Sequence, residues 1–85
     1  MKEIVIDCAG LENPRVLHQI LAEKMEFPRW YRHNLDALHD VLTCLTEDTS
    51  LTLLHLDTLG RFSAGLRRVL EDSRKENPHF RVTIV

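Results

Sequence analysis

The 85-residue chain contains only three glycines and two cysteines, and each scarcity argues against a class of protein. With so few glycines there is no Gly-rich loop to cradle a phosphate, and neither a P-loop nor a GxSxG elbow occurs. Cys8 and Cys44 form neither a CxxC pair nor a disulfide framework, so we expect reduced thiols. The sequence therefore predicts a protein that is not an enzyme and holds no cofactor or metal.

Long apolar runs are also missing. The longest, Leu51 to Leu56, includes Thr52 and His55 and is far below the roughly 20 residues that span a bilayer. The segment from Met1 to Asp7 is charged and strand-like and lacks the apolar core of a signal peptide, which predicts a cytoplasmic protein without membrane contact. The length fits one small domain over residues 1–85.

The chain has no large excess of charge of either sign. Lys and Arg number 11 against 13 Asp and Glu, which gives a formal net charge of −2 at pH 7. A dedicated nucleic-acid-binding protein needs a strongly basic face, and this balance argues against one. The total does not exclude a local acidic face, so the distribution of charge along the predicted elements matters more than its sum.

What the chain does contain is a regular alternation of apolar patterns that predicts three strands and three helices. In chain order these are the strand Lys2–Asp7, the helices Asn13–Met25 and Asn34–Leu45, the strand Leu51–Leu56, the helix Phe62–Glu76 and the strand Phe80–Val85. Helical crossovers between consecutive strands predict parallel pairing with right-handed connections. We therefore expect an α/β domain with a three-stranded parallel sheet, whose nearly continuous apolar middle strand indicates helices on both faces.

The second predicted helix carries polar residues opposite its apolar stripe. Spacings of one, three and four residues place together Asp36, His39, Asp40, Thr43 and Glu47. Another acidic pair, Asp72 and Glu76, lies at i and i+4 near the end of the third helix. Either pair alone is more typical of a solvated helix face than of a binding site. Asp36 and His39 have a spacing that metal ligands tolerate, but two ligands do not make a metal site.

The residues from Phe27 to Thr43, F-P-R-W-Y-R-H-N-L-D-A-L-H-D-V-L-T, resemble the inhibitory segment of the barstar family, intracellular inhibitors of secreted bacterial ribonucleases. The resemblance continues in the opening strand M-K-E-I-V-I, in L-H-Q of the first helix and in the final V-T-I-V. It implies a barstar-like fold and a one-to-one complex with a basic ribonuclease. In that complex carboxylates on a rigid helix would replace RNA phosphates in the active-site cleft, and complementary charge would speed association.

The resemblance also implies which residues contact the partner. Position by position, they are Trp30, Asn34, Leu35, Asp36, His39, Asp40, Thr43, Asp72 and Glu76. Among them Asp40 matches the principal acidic contact, which enters the phosphate-binding centre of the nuclease. On this reading the two acidic pairs belong to one surface.

The chain departs from the founding member of the family around this acidic centre. His39 replaces a tryptophan, Cys44 and Leu45 replace a glycine-tryptophan pair, and Arg32 and His33 replace a glycine and a glutamate. Because residues around a central anchor tune specificity, we expect a different cognate ribonuclease. The same changes leave open an alternative, an adaptor of this fold that binds another basic protein.

Several side chains keep two interpretations. Trp30 either contacts the partner or covers a helix end, whereas Tyr31 is interpreted mainly as a structural residue. His18, His55 and His79 have no recognisable partners in the sequence and are expected to be structural or solvated. For the cysteines, Cys8 is expected to be buried at a strand end and Cys44 to be partly exposed.

Overall fold

The computed structural model describes residues 1–11 and 13–85, and in them it shows a three-stranded parallel sheet with three α-helices. The elements are β1 (Lys2–Asp7), α1 (Pro14–Lys24), α2 (Leu35–Thr43), β2 (Thr49–Leu54), α3 (Arg61–Glu76) and β3 (Phe80–Ile84). A short 3₁₀ helix, Leu56–Leu59, connects β2 to α3. The central strand β2 pairs in parallel with both β1 and β3. The predicted fold class is confirmed.

Two asparagines start the first two helices, as their positions in the sequence predict. The Asn13 side chain accepts a hydrogen bond from the backbone N–H of Val16, and Pro14 occupies the first helical position. The Asn34 side chain accepts from the N–H of Ala37 at 2.8 Å. Each cap satisfies a helix N–H that has no intrahelical partner, which fixes where α1 and α2 begin.

The hydrophobic core lies between the three helices and one face of the sheet. Ile4 and Ile6 of β1 are buried, but Val5 between them is 59% exposed. All three helices contribute to the same apolar cluster, through Leu17, Leu21, Leu38, Leu42, Leu66 and Leu70. The expectation that helices cover both faces of the sheet is therefore wrong. The three helices of this short chain are used on one face, and the other keeps exposed and half-buried side chains.

The middle strand is shifted by two residues from its predicted position. It begins at Thr49, whose N–H donates to the His79 carbonyl at 2.8 Å, and ends at Leu54. His55 then adopts a left-handed backbone with φ of 57°, which ends the strand. Leu56 is fully buried but belongs to the 3₁₀ helix. The apolar pattern placed the end of the strand at Leu56 because this residue is buried in the core, although it lies outside the sheet.

Candidate protein-binding site

Helix α2 is fixed between the core and α3. Leu38 and Leu42 on its inner side are fully buried. At its start the Leu35 side chain lies over Gly65 of α3, so closely that a Cβ at position 65 would be 3.1 Å from Leu35 Cδ1. The outer side of α2 is therefore presented on a helix that its own packing holds in place.

Asn77 fixes the other end of α2. It is a buried residue that follows the last turn of α3, and its Nδ2 donates to the carbonyls of Leu42 at 2.8 Å and Leu45 at 3.0 Å. Its Oδ1 accepts from the N–H of His79 at 3.0 Å. The sequence indicates Asn77 only as a helix stop, since a contact 35 residues away leaves no local signal.

The outer side of α2 carries two exposed carboxylates. The carboxylate groups of Asp36 and Asp40 make no hydrogen bond or ion pair with the residues that the structure describes. Thr43, one turn after Asp40, donates its hydroxyl hydrogen to the carbonyls of His39 at 2.9 Å and Asp40 at 3.1 Å. The hydroxyl oxygen keeps acceptor capacity, so this face presents hydrogen-bond acceptors and negative charge.

His39 connects the face of α2 to the end of α3. Its Nε2 lies 2.9 Å from Oε2 of Glu76, and both side chains are partly exposed. The two acidic pairs seen in the sequence thus meet through one contact. Asp72 lies one turn before Glu76 and is exposed. Asp36, His39, Asp40, Thr43 and Glu76 are called the acidic face below.

Glu47 does not belong to the acidic face. The helical spacing predicts it there only if α2 continues past Thr43, but the helix ends at that residue and Cys44 caps it. Glu47 instead lines a depression with Lys2, Met25 and Cys44. The prediction was wrong because the apolar residue Leu45 made the helical pattern seem longer than the helix.

An exposed tryptophan lies beside the acidic face. Trp30 is 61% exposed and lines a surface depression of about 300 Å³ with Arg32, Asn34, Asp36 and Asp40. The ring is therefore not part of the hydrophobic core, and it also lines a depression with Met25 and Cys44 at the ends of α1 and α2. A large exposed aromatic ring that adjoins unpartnered polar groups is typical of protein interfaces.

Tyr31, the next residue, is buried as the structural interpretation predicts. Its hydroxyl is hydrogen-bonded to His18 Nδ1, and its ring lies 4.9 Å from that of Phe27. Burial raises the pKa of the Tyr31 phenol, and burial together with the neighbouring His33 lowers the pKa of His18. Both groups are thus neutral near pH 7, and they anchor the loop that leads into α2.

Two further histidines, His55 and His79, pair with carboxylates away from the acidic face. His55 Nδ1 lies 2.9 Å from Asp7 Oδ1, and His79 Nδ1 lies 2.8 Å from Asp48 Oδ1. The backbone N–H of Ala9 and the His55 ring lower the pKa of Asp7. The His79 hydrogen bond likewise lowers the pKa of Asp48. These pairs bridge 48 and 31 residues, so the linear sequence does not show them.

The cysteines lie where the sequence predicts, with Cys8 buried just after β1 and Cys44 exposed after α2. Within residues 1–11 and 13–85, no helix has the length and apolar character to cross a membrane. In the same part of the chain, no cluster of three or more His, Cys, Asp or Glu side chains could hold a metal ion.

Comparison with known proteins agrees with the fold. A family model described as "Barstar (barnase inhibitor)" matches residues 1–84. The chain belongs to the barstar family. This barstar-family chain is also 37% identical over 82 residues to a protein of Bacillus subtilis (strain 168) named "Putative ribonuclease inhibitor YrdF". That alignment covers 89% of each of the two chains.

Proposed function

We propose that this barstar-family chain, as one inhibitor domain over residues 1–85, inhibits a basic bacterial ribonuclease in the cytoplasm by a one-to-one complex. The observation that carries the proposal is the pair of exposed carboxylates of Asp36 and Asp40. They lie on a helix that is packed against the core, and they have no partner among the described residues. Family membership and the name of the Bacillus subtilis relative support a ribonuclease as the target.

The mechanism follows from what a ribonuclease must bind. An enzyme that cleaves a polyanion uses Arg and Lys side chains to hold phosphate and to stabilise the charge of the transition state. Carboxylates can form charge-assisted hydrogen bonds with the same cations, but they offer no phosphodiester bond to cleave. Asp40 enters the phosphate-binding centre and Asp36 contacts a flanking cation. The inhibitor therefore occupies the active-site cleft as a substitute for RNA.

The neighbouring residues complete this contact. The Thr43 oxygen accepts from a partner cation, because its own hydrogen is used within α2. Glu76 supplies a further carboxylate, and the His39 ring holds it toward α2. Trp30 covers an apolar surface of the nuclease, and the partner surface continues over Asn34, Leu35 and Asp72. Because packing already fixes α2, little conformational entropy is lost on binding.

An inhibition titration tests this proposal. The double variant Asp36→Asn and Asp40→Asn would be compared with the wild type against barnase and against basic ribonucleases isolated from the source bacterium. The matched control, Glu3→Gln and Glu23→Gln, removes the same charge from two exposed positions on β1 and α1. We expect the acidic-face variant to require at least about 100-fold more protein for half-inhibition, and the control to change less than twofold.

Two outcomes would contradict the proposal in different ways. Equal inhibition by the wild type and the acidic-face variant would show that another surface blocks the nuclease. Failure of the wild-type protein to inhibit any of these ribonucleases would reject inhibition itself and favour the adaptor alternative. Urea unfolding of each variant establishes that a loss of inhibition is not a loss of fold.

A further inference from the structure

An open cavity of about 660 Å³ lies beside the start of α2, between α1, the loop before α2 and α3. Its polar wall is formed by Arg15, His18, Arg32 and His33. No carboxylate of the described residues lines it, and neither arginine makes an ion pair with them. The cavity therefore has the opposite charge from the acidic face, although the two are adjacent.

His18 is the buried residue of this wall. Only 3% of the residue is exposed, and its Nδ1 is hydrogen-bonded to the Tyr31 hydroxyl. In the tautomer in which the phenol donates its hydrogen to Nδ1, the His18 proton lies on Nε2. Nε2 itself has no partner in the described part of the chain.

The His18 ring lies in the wall of the cavity together with Arg15, Arg32 and His33. A cavity lined by His18 and by two arginines that form no ion pair with the described residues is suited to an anion.

The cavity is continuous with the surface proposed to bind the nuclease. Asn34 and Leu35, both in the proposed partner surface, also line the cavity. Arg32 lines both the cavity and the depression that holds Trp30, Asp36 and Asp40. RNA is a poor ligand here, because a polyanion would be repelled by those carboxylates. A folded protein can present cations to the acidic face and one carboxylate to the cavity.

We propose that this cavity is a cationic subsite of the interface, which receives an Asp or Glu side chain of the ribonuclease next to its basic cleft. This inference rests on the proposed function and adds a requirement on the partner. A ribonuclease with Lys or Arg opposite Arg15 and Arg32 would be rejected by repulsion. The subsite therefore selects among basic ribonucleases, whereas the acidic face recognises them as a class.

Dissociation kinetics with a ribonuclease that the wild type inhibits test the subsite. Arg15→Glu and Arg32→Glu would be compared with Arg67→Glu, an exposed arginine of α3 outside the cavity. Added negative charge alone speeds association with a basic partner, so any loss of affinity must arise in the dissociation rate. We expect the two cavity variants to dissociate at least about 10-fold faster and Arg67→Glu to change less than twofold.

The partner side of the contact can be found by charge exchange. Each surface Asp and Glu of the ribonuclease would be replaced by Lys, and one replacement should restore slow dissociation with Arg15→Glu or Arg32→Glu. Wild-type dissociation rates in both cavity variants would overturn the subsite. The proposed function would still hold in that case if the double variant of Asp36 and Asp40 inhibits poorly. Inhibition that needs the arginines but not these aspartates would support the subsite and reject the acidic-face mechanism.

A titration with RNA tests whether the cavity binds a phosphate of a nucleic acid instead of a carboxylate of the ribonuclease. A 5′-phosphorylated single-stranded oligoribonucleotide would be titrated into the free protein and into Arg15→Glu. We expect no difference between the two. Binding that is lost in Arg15→Glu, with unchanged dissociation from the nuclease, would overturn the proposal in favour of a nucleic-acid site. A wild-type protein that inhibits no ribonuclease would overturn it together with the proposed function.

Discussion

Carboxylates at the ends of the sheet have hydrogen-bond partners within the fold, whereas those on α2 do not find one among the described residues. At the sheet, Asp7 accepts from Ala9 and pairs with His55, and Asp48 pairs with His79. On α2, Asp36 and Asp40 have no such partner among the described residues. The first group uses its charge within the fold. The second leaves its hydrogen-bonding capacity for another molecule, which is what a binding surface requires.

The cost of this arrangement is small in the free protein. Like charges at i and i+4 destabilise an exposed helix by a few tenths of a kcal/mol. Packing against the core and against α3 stabilises α2 by more than that, since full burial of one leucine contributes about 1.5 to 3 kcal/mol. The fold can therefore hold an acidic face, and under the proposed function a basic partner supplies its counter-charges.

The largest effect is expected for Asp40→Ala. We predict a loss of about 2 to 5 kcal/mol in binding free energy to the inhibited ribonuclease, because partner cations would be left without their acceptor. Stability in urea should be almost unchanged. The matched control is Asp7→Ala, which removes a carboxylate that is used within the fold. A control variant that weakens binding as much as Asp40→Ala would erase the distinction between the two groups.

The next largest effect is expected for a variant of Asn77, which holds the end of α2 by hydrogen bonds. Asn77→Ala leaves the carbonyls of Leu42 and Leu45 without their side-chain donor, and an unsatisfied buried polar group costs about 1 to 3 kcal/mol. We predict a loss of that size in the free energy of unfolding, measured in urea. The control is Arg67→Ala on the exposed side of α3. Equal stability of the two variants would show that Asn77 is not needed to hold α2.

A smaller effect concerns His18 beneath the cavity. Its pKa is lowered in the folded state, so the unfolded chain binds this proton more tightly. The contribution of neutral His18 to stability is therefore fully present above the unfolded pKa of about 6.5 and is lost as pH falls through the folded pKa. Between pH 7.5 and 5, the wild type should therefore lose more stability in urea than His18→Gln. Parallel losses would mean that another group causes the pH dependence.

The sequence predicts local features well and long-range polar contacts poorly. The Asn13-Pro14 cap and the apolar stripe of α2 depend on neighbouring residues, and both were identified. The resemblance to the barstar family also implied that Glu76 lies beside α2, which the His39 contact agrees with. In contrast, Asn77 and His18 form their hydrogen bonds with residues that are distant in the sequence. No periodicity encodes such contacts.

The smallest effect is expected for Asp48→Asn, which tests whether a carboxylate at the end of the sheet acts only within the fold. The His79 hydrogen bond lowers the folded pKa of Asp48, so its contribution is present above the unfolded pKa of about 3.8 and is lost as pH falls through the folded value. The urea midpoint of Asp48→Asn should therefore lie slightly below that of the wild type at pH 6, and the difference should vanish near pH 2. Inhibition should be unchanged, because this carboxylate already has its partner within the fold. Weaker inhibition by the variant would place Asp48 among the groups that meet the ribonuclease.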